Sequence, residues 1–133
     1  MQVHDPEQIA EYEEAGAWGD ETLLEEFEVT VAQHPERTAI IDPPNTPDLV
    51  DREPERLTYT ELSEAVDAVA TKLRERGVRK DDFVVAQLPN TWELAMLYLA
   101  VARAGGVISP MPIQWRRHEL EPRRTGPVRL LVV

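Results

Sequence analysis

The run Asp82-Phe83-Val84-Val85-Ala86-Gln87-Leu88 constrains this chain more than any other segment. It is continuously apolar at its centre and lacks the in–out alternation of a half-solvated strand. A β-strand of that kind is buried on both faces, which needs layers above and below the sheet. The flanking sequence supplies those layers. Leu62, Val66, Val69 and Leu73 recur at helical spacing before the strand, and they predict a helix with one buried stripe. After Pro89-Asn90, the segment from about Thr91 to Arg103 is apolar nearly all round, so a largely buried helix is expected there. Gly105-Gly106 ends it, and Val107-Ile108-Ser109 begins another strand bounded by Pro110 and Pro112.

The remaining elements extend this alternation. Residues 5–15 read as a short amphipathic helix with Ile9, Tyr12 and Glu13 near one face and Gly16 at its stop. Asp20 is placed to cap a second helix running to about Gln33, with Leu23, Leu24, Phe27 and Val31 at the 3.6-residue period. His34-Pro35 ends that helix, because the residue before proline avoids the α region. Residues 38–42 and 56–59 read as short strands. The acidic, proline-rich stretch 43–55 shows no period and reads as a surface loop. Thr58 with Glu61 has capping-box spacing for the third helix, with Thr60 as the other candidate cap; Asn90 with Glu93 has the same spacing for the fourth, with Thr91 as its alternative. Arg116–Glu121 is expected as a short helix and Arg129–Val133 as a last strand. Strands alternating with helices imply an α/β fold, a sheet flanked by helices with right-handed crossovers. Residues 1–35 divide off as N-terminal helices from an α/β lobe over 36–133.

Charge narrows the partners. The 133 residues carry a net charge of −11, with net −16 in residues 1–67 and net +5 in residues 68–133. An acidic first half repels phosphates and argues against nucleic acid. No apolar run approaches the roughly 20 residues of a membrane span, and Met1-Gln2-Val3-His4-Asp5 lacks the features of a secretory signal, so a cytoplasmic protein with no membrane partner is expected. There is no cysteine, which excludes disulfides and thiolate metal sites. Only Lys72 and Lys80 are lysines among 14 basic residues. Acid excess with lysine depletion is expected of a salt-loving archaeon, where salt screens carboxylate repulsion; an acidic protein from a GC-rich genome is the alternative.

Five elements carry a family resemblance. His34-Pro35-Glu36-Arg37-Thr38-Ala39, Leu57-Thr58-Tyr59-Thr60-Glu61-Leu62, Gly77-Val78-Arg79-Lys80-Asp81-Asp82, Leu88-Pro89-Asn90-Thr91 and Ala102-Arg103-Ala104-Gly105-Gly106-Val107-Ile108 stand in this order. Their sequence and spacing resemble the N-terminal part of AMP-forming acyl-CoA synthetases, the adenylating ligases. Asp81 replaces that family's usual glycine. Tyr12-Glu13-Glu14-Ala15-Gly16-Ala17-Trp18 resembles the opening of aryl- and alicyclic-acid ligases. The resemblance implies a partial N-terminal lobe of the acyl-adenylate-forming ligase fold. It also implies that the intact enzyme uses ATP, Mg²⁺ and CoA to turn a carboxylic acid into an acyl-adenylate and then an acyl-CoA.

The chemistry of such an enzyme is not visible in these residues. A phosphate loop presents successive backbone N–H groups from a Gly/Ser/Thr-rich segment. Gly105-Gly106, the one glycine pair, follows a helix and reads as a helix stop with tight backbone packing. The family's ribose-binding acid and C-terminal lysine have no counterpart, so no catalytic residue, no nucleotide-binding residue and no metal ligand is assigned. His4, His34 and His118 lack metal spacing. Glu13-Glu14 and Glu25-Glu26 are adjacent pairs that diverge on a helix and read as solvated faces. Trp92 and Trp115 read as core or interface, with a ligand pocket as the alternative. Arg116 and Arg117 are candidate CoA contacts, because guanidinium groups match phosphate in forked geometry; a solvated helix start is the alternative.

After Glu121 the run Pro122-Arg123-Arg124-Thr125-Gly126-Pro127 departs from the family's helix. Pro122 opposes helix continuation by about 3 kcal/mol. The expectation is an N-terminal ligase fragment that is inactive alone, with a C-terminal ligase fragment as a possible partner. The alternatives are a non-catalytic interaction module, one half of a split ligase, or an unrelated small nucleotide-binding α/β protein.

Overall fold

The structure is a computed structural model that describes residues 5–19, 21–120 and 128–132. Helix α1 (Pro6–Glu14) buries no residue. Its N-cap is Asp5, which accepts from the Glu7 N–H at 2.9 Å, and Gly16 follows in the left-handed region. Helix α2 (Leu23–Gln33) is capped by Thr22 and not by Asp20, which lies outside the described residues. The reason is reciprocal satisfaction: the Glu25 N–H donates to Thr22 Oγ1 while Glu25 Oε2 accepts from the Thr22 N–H at 2.7 Å. The Thr22 N–H and then the Thr22 hydroxyl, both donating to the Glu25 carboxylate, hold it below its usual value.

Strands β1 (Thr38–Ile41) and β2 (Arg56–Thr58) pair antiparallel. The loop between them contains a helical turn, α3 (Thr46–Leu49), which its lack of period concealed. Helix α4 (Tyr59–Glu75) begins at a complete Thr58–Glu61 capping box. Thr60 is not the cap; its hydroxyl donates to the Pro35 carbonyl. Leu62, Val66 and Leu73 are buried on α4 as the stripe predicts. Val69 is only partly buried, and Ala70 takes the central position against the core. A small residue there lets α4 and α5 (Trp92–Ala104) approach closely, and this pair makes the most extensive helix contact among the described residues.

Strand β3 (Phe83–Ala86) is the centre of a parallel sheet, flanked by β4 (Val107–Pro110) and β5 (Val128–Val132). Val84 and Ala86 are fully buried and Val85 nearly so, as a strand covered on both faces requires. Helix α5 connects β3 to β4, a βαβ unit. It is less enclosed than its composition implies: Met96, Leu97, Ala100, Val101 and Ala104 are buried, while Tyr98 is 38% exposed. Leu94, Ala95, Leu99 and Tyr98 line a groove with Asn90 and with Leu23 of α2. Gly105 stops α5 at φ 89°, and Gly106 lies so close to the sheet that a Cβ there would meet the Asp82 carbonyl oxygen at 3.1 Å. This is the helix stop with tight packing that the glycine pair implied.

Helix α6 is a single turn, Arg117–Leu120. Glu121, the Pro122–Pro127 departure and Val133 lie outside the described residues, as does His4.

Candidate functional site

The densest polar constellation lies where β1, the 43–55 loop and the first turn of α5 meet. Asp42, the residue after β1, is 5% exposed. Its carboxylate accepts from Arg52 Nη1 at 2.5 Å, from the Glu55 N–H at 3.0 Å and from the Trp92 N–H at 2.8 Å. The last bond makes Asp42 the N-terminal cap of α5 from 50 residues earlier in the chain. The local candidates do not fill that role. Asn90 is exposed, and Thr91 occupies the N-cap position without a side-chain cap bond. Glu93, expected to complete a local capping box, turns instead to Arg52. Arg52 Nη2 donates to both of its carboxylate oxygens at 2.8 Å, and Arg52 Nε to Oε1 at 3.2 Å.

Two further contacts close the cluster. Trp92 Nε1 donates to Glu55 Oε2 at 2.8 Å, and the Arg52 guanidinium sits 6.0 Å from the Trp92 ring centroid, at the limit of a cation–π contact. Burial alone pushes the Asp42 carboxyl up. The bond from Arg52 and the two backbone N–H groups outweigh it, so this carboxyl stays ionised below its ordinary value. Arg52 is correspondingly held charged, chiefly by its bond to Asp42.

Beside this network, Glu55, Arg56, Leu57, Glu61, Ala65 and Trp92 line a groove of about 380 Å³. Its carboxylates are already engaged, Glu55 by Trp92 and Glu61 by Thr58. The arrangement fastens structure together and holds no nucleophile–base pair.

The residues singled out in the sequence are dispersed. Arg116 is exposed, and its N–H donates to Glu119 Oε2 at 2.5 Å. Arg117 opens α6. Both follow β4, beyond the carboxyl end of the parallel sheet, the edge where open α/β sheets bind ligands. The loop before them is pinned there by Gln87 Nε2, which donates to the Pro112 and Trp115 carbonyls, each at 2.8 Å. Trp92 and Trp115 are both partly buried and serve different segments. Glu13, Glu14, Glu25 and Glu26 are exposed, as are His34 and His118; His118 lies 3.6 Å from Glu119. Among the described residues no three His, Asp or Glu side chains group as metal ligands, and no helix is long and apolar enough to cross a membrane.

Sequence reasoning missed Asp42 and Arg52. One signal was present: Arg52 is the sole base between Arg37 and Arg56, set in Asp51-Arg52-Glu53-Pro54-Glu55. An isolated guanidinium among carboxylates is placed to organise them. Its partner Glu93 is 41 residues away, beyond the reach of any local pattern.

The comparisons with known proteins converge. A profile of the AMP-binding enzyme family matches residues 27–123. The chain is 30% identical over 111 residues to the medium-chain fatty-acid–CoA ligase of Escherichia coli, an alignment covering 84% of this chain and 18% of that protein. It is 33% identical over 112 residues to the 2-hydroxy-7-methoxy-5-methyl-1-naphthoate–CoA ligase of Streptomyces carzinostaticus, covering 84% and 18%. The apo structure of Mycobacterium smegmatis MbtA superposes with a TM-score of 0.78 at 28% identity, covering 98% of this chain and 23% of that one. The N-terminal subdomain of Klebsiella oxytoca NpsA shares the fold, with a TM-score of 0.64 at 23% identity, covering 82% and 26%. The chain thus spans about a fifth of the length of the curated relatives it matches. With its α/β architecture matching the N-terminal part of adenylate-forming ligases, this chain belongs to the AMP-binding enzyme family.

Proposed function

We propose that these residues form the N-terminal scaffold of an ATP-dependent carboxylic acid–CoA ligase, and that this 133-residue chain does not adenylate an acid by itself. The observation that carries the reading is the match of residues 27–123 to the AMP-binding enzyme family, joined to a polar centre committed to structure. The described residues do not fit a nucleotide. The N-terminus of α5, which a phosphate could otherwise use, already receives the Asp42 carboxylate. Gly105 and Gly106 close a helix and pack against backbone, so they offer no cradle of N–H groups. Adenylation in the intact enzyme, with ATP, Mg²⁺ and CoA, is assigned to the four-fifths of such a ligase that this sequence does not include.

In that enzyme Asp42 and Arg52 hold the loop and helix framework on which later segments are mounted. Arg116 is exposed beyond the sheet's carboxyl edge and free to meet a CoA phosphate, with Arg117 beside it in sequence. The reading is tested by titrating Mg·ATP into the purified chain in a calorimeter. No saturable binding is expected up to about 1 mM, the range of the weakest specific ligands. Saturation well below that concentration overturns it.

A further inference from the structure

Residues 43–54 form a unit that closes on itself. Its ends are tied together, since the Asp42 N–H donates to the Glu55 carbonyl at 2.9 Å and the Glu55 N–H returns to Asp42 Oδ2 at 3.0 Å. Inside it, the backbone bonds run from Thr46 to Pro43, Asp48 to Asn45, Val50 to Thr46 and Arg52 to Val50. Thr46 is fully buried, and its hydroxyl donates to the Pro43 carbonyl at 2.6 Å. This is the anatomy of an Ω-loop, a compact segment with adjacent ends packed by its own side chains.

Its attachment to the rest of the protein is narrow. Helix α3 makes no extensive contact with any other helix or strand among the described residues. Among the described residues, every side-chain hydrogen bond leaving 43–54 is made by Arg52, to Asp42 at the hinge and to Glu93 on α5. Arg52 Nε and Nη2 meet the two Glu93 carboxylate oxygens side by side, a two-nitrogen fork that a guanidinium forms and an ammonium cannot. Arg52 keeps about a quarter of its side chain exposed and Glu93 about a third, so water can replace this fork at modest cost, whereas the bond to the buried Asp42 carboxylate is the costlier of the two to break. The loop lies over the first turn of α5, beyond the carboxyl end of β3.

We propose that residues 43–54 are a flap that swings as a unit about the Asp42–Glu55 hinge and is held shut by Arg52, through its fork to Glu93 and its bond to the Asp42 carboxylate. Opening uncovers the first turn of α5 and the buried Asp42 carboxylate while leaving the α4–α5–sheet core intact. This inference stands whether or not the ligase reading does, because it uses only this loop and the Arg52 bonds that fasten it.

Trypsin reads the latch directly. Its specificity pocket must take the Arg52 side chain, and the shut flap withholds that side chain. Two variants of the full chain keep a cleavable residue at position 52: Glu93→Ala removes the acceptor, and Arg52→Lys keeps the charge but loses the fork. Both are expected to speed cleavage after residue 52 by about 10-fold or more, as when a local opening loses its fastening. Cleavage after Arg74 and Arg76 at the end of α4 should stay unchanged, and so should amide exchange at Val66 and Ala70. Unchanged cleavage at residue 52 in both variants overturns the proposal. Failure of the variants to fold, or parallel loss of protection in α4, also overturns it, because the network is then part of the global core.

Discussion

Replacing Asp42 with alanine tests whether α5 is capped from 50 residues away. The substitution strips the Trp92 N–H of its acceptor, and loss of an N-cap costs about 0.5–2 kcal/mol. It also removes the acceptor for the Glu55 N–H and for Arg52. Bonds to a charged group contribute about 1.5–3 kcal/mol each, but these two donors regain part of that. Arg52 keeps its fork to Glu93 and reaches water, and Glu55 is exposed. The net loss is therefore about 3 kcal/mol, the lower end of the range for breaking a buried pair. In a urea melt followed by helical circular dichroism, with a slope of about 2 kcal/mol/M, the midpoint drops by about 1.5 M at pH 7. Asn90→Ala, which alters the cap suggested by local spacing, should stay within about 0.5 kcal/mol. The pH dependence has a fixed sign. Because the folded Asp42 carboxyl lies below its ordinary value, its stabilisation is complete above about pH 4 and lost as pH falls through the folded value. The gap between wild type and Asp42→Ala must therefore narrow in acid. A loss below about 1 kcal/mol at pH 7, or an equal loss from Asn90→Ala, refutes the long-range cap.

Three other outcomes are expected. Leu73→Ala, at a site 3% exposed, should cost about 2–5 kcal/mol in denaturant melts; a neutral result contradicts the packing of α4. Thr58→Ala should cost about 1 kcal/mol through its capping box, and Thr60→Ala, whose hydroxyl caps nothing on α4, should cost less. Folding should improve from dilute buffer to molar salt by circular dichroism and light scattering, because the net −16 of residues 1–67 repels over a Debye length of about 30 Å at 0.01 M but only about 3 Å at 1 M; no gain from salt contradicts the charge reading.

What was legible in the sequence was what depends on neighbours in the chain. The α4 stripe, the Thr58–Glu61 box, the Gly105 stop and the doubly buried β3 each follow from spacings of a few residues, and each stands in the structure. Val69 and Ala70 show the limit. Both are apolar and adjacent, and which one faces the core depends on how closely α5 approaches. The α2 cap is Thr22 in place of Asp20, and Thr91 holds the N-cap position of α5 without making the cap bond, for different reasons. Thr22 and Asp20 are both plausible caps by residue type, and only the return bond from Glu25 decides between them. Asn90, Thr91 and Glu93 offer a complete local solution for α5, but the buried Asp42 carboxylate just after β1 outcompetes it, and Glu93 is drawn off by Arg52. That network's bonds to α5 join residues 37 to 50 positions apart, so the loop bearing it looked featureless. The family was legible because five short elements keep their order over most of the chain. The acid substrate was not, because the match reaches only about a fifth of relatives whose named acids differ in kind.

The central claim is that this chain carries the framework of an adenylating ligase without its chemistry. The direct measurement is pyrophosphate release from ATP and Mg²⁺ by the purified chain, across a panel of aliphatic and aryl carboxylic acids. Release at the level of a no-protein blank with every acid is the predicted result. Acid-dependent turnover clearly above that blank would contradict the account, since it would place the adenylating residues within these 133.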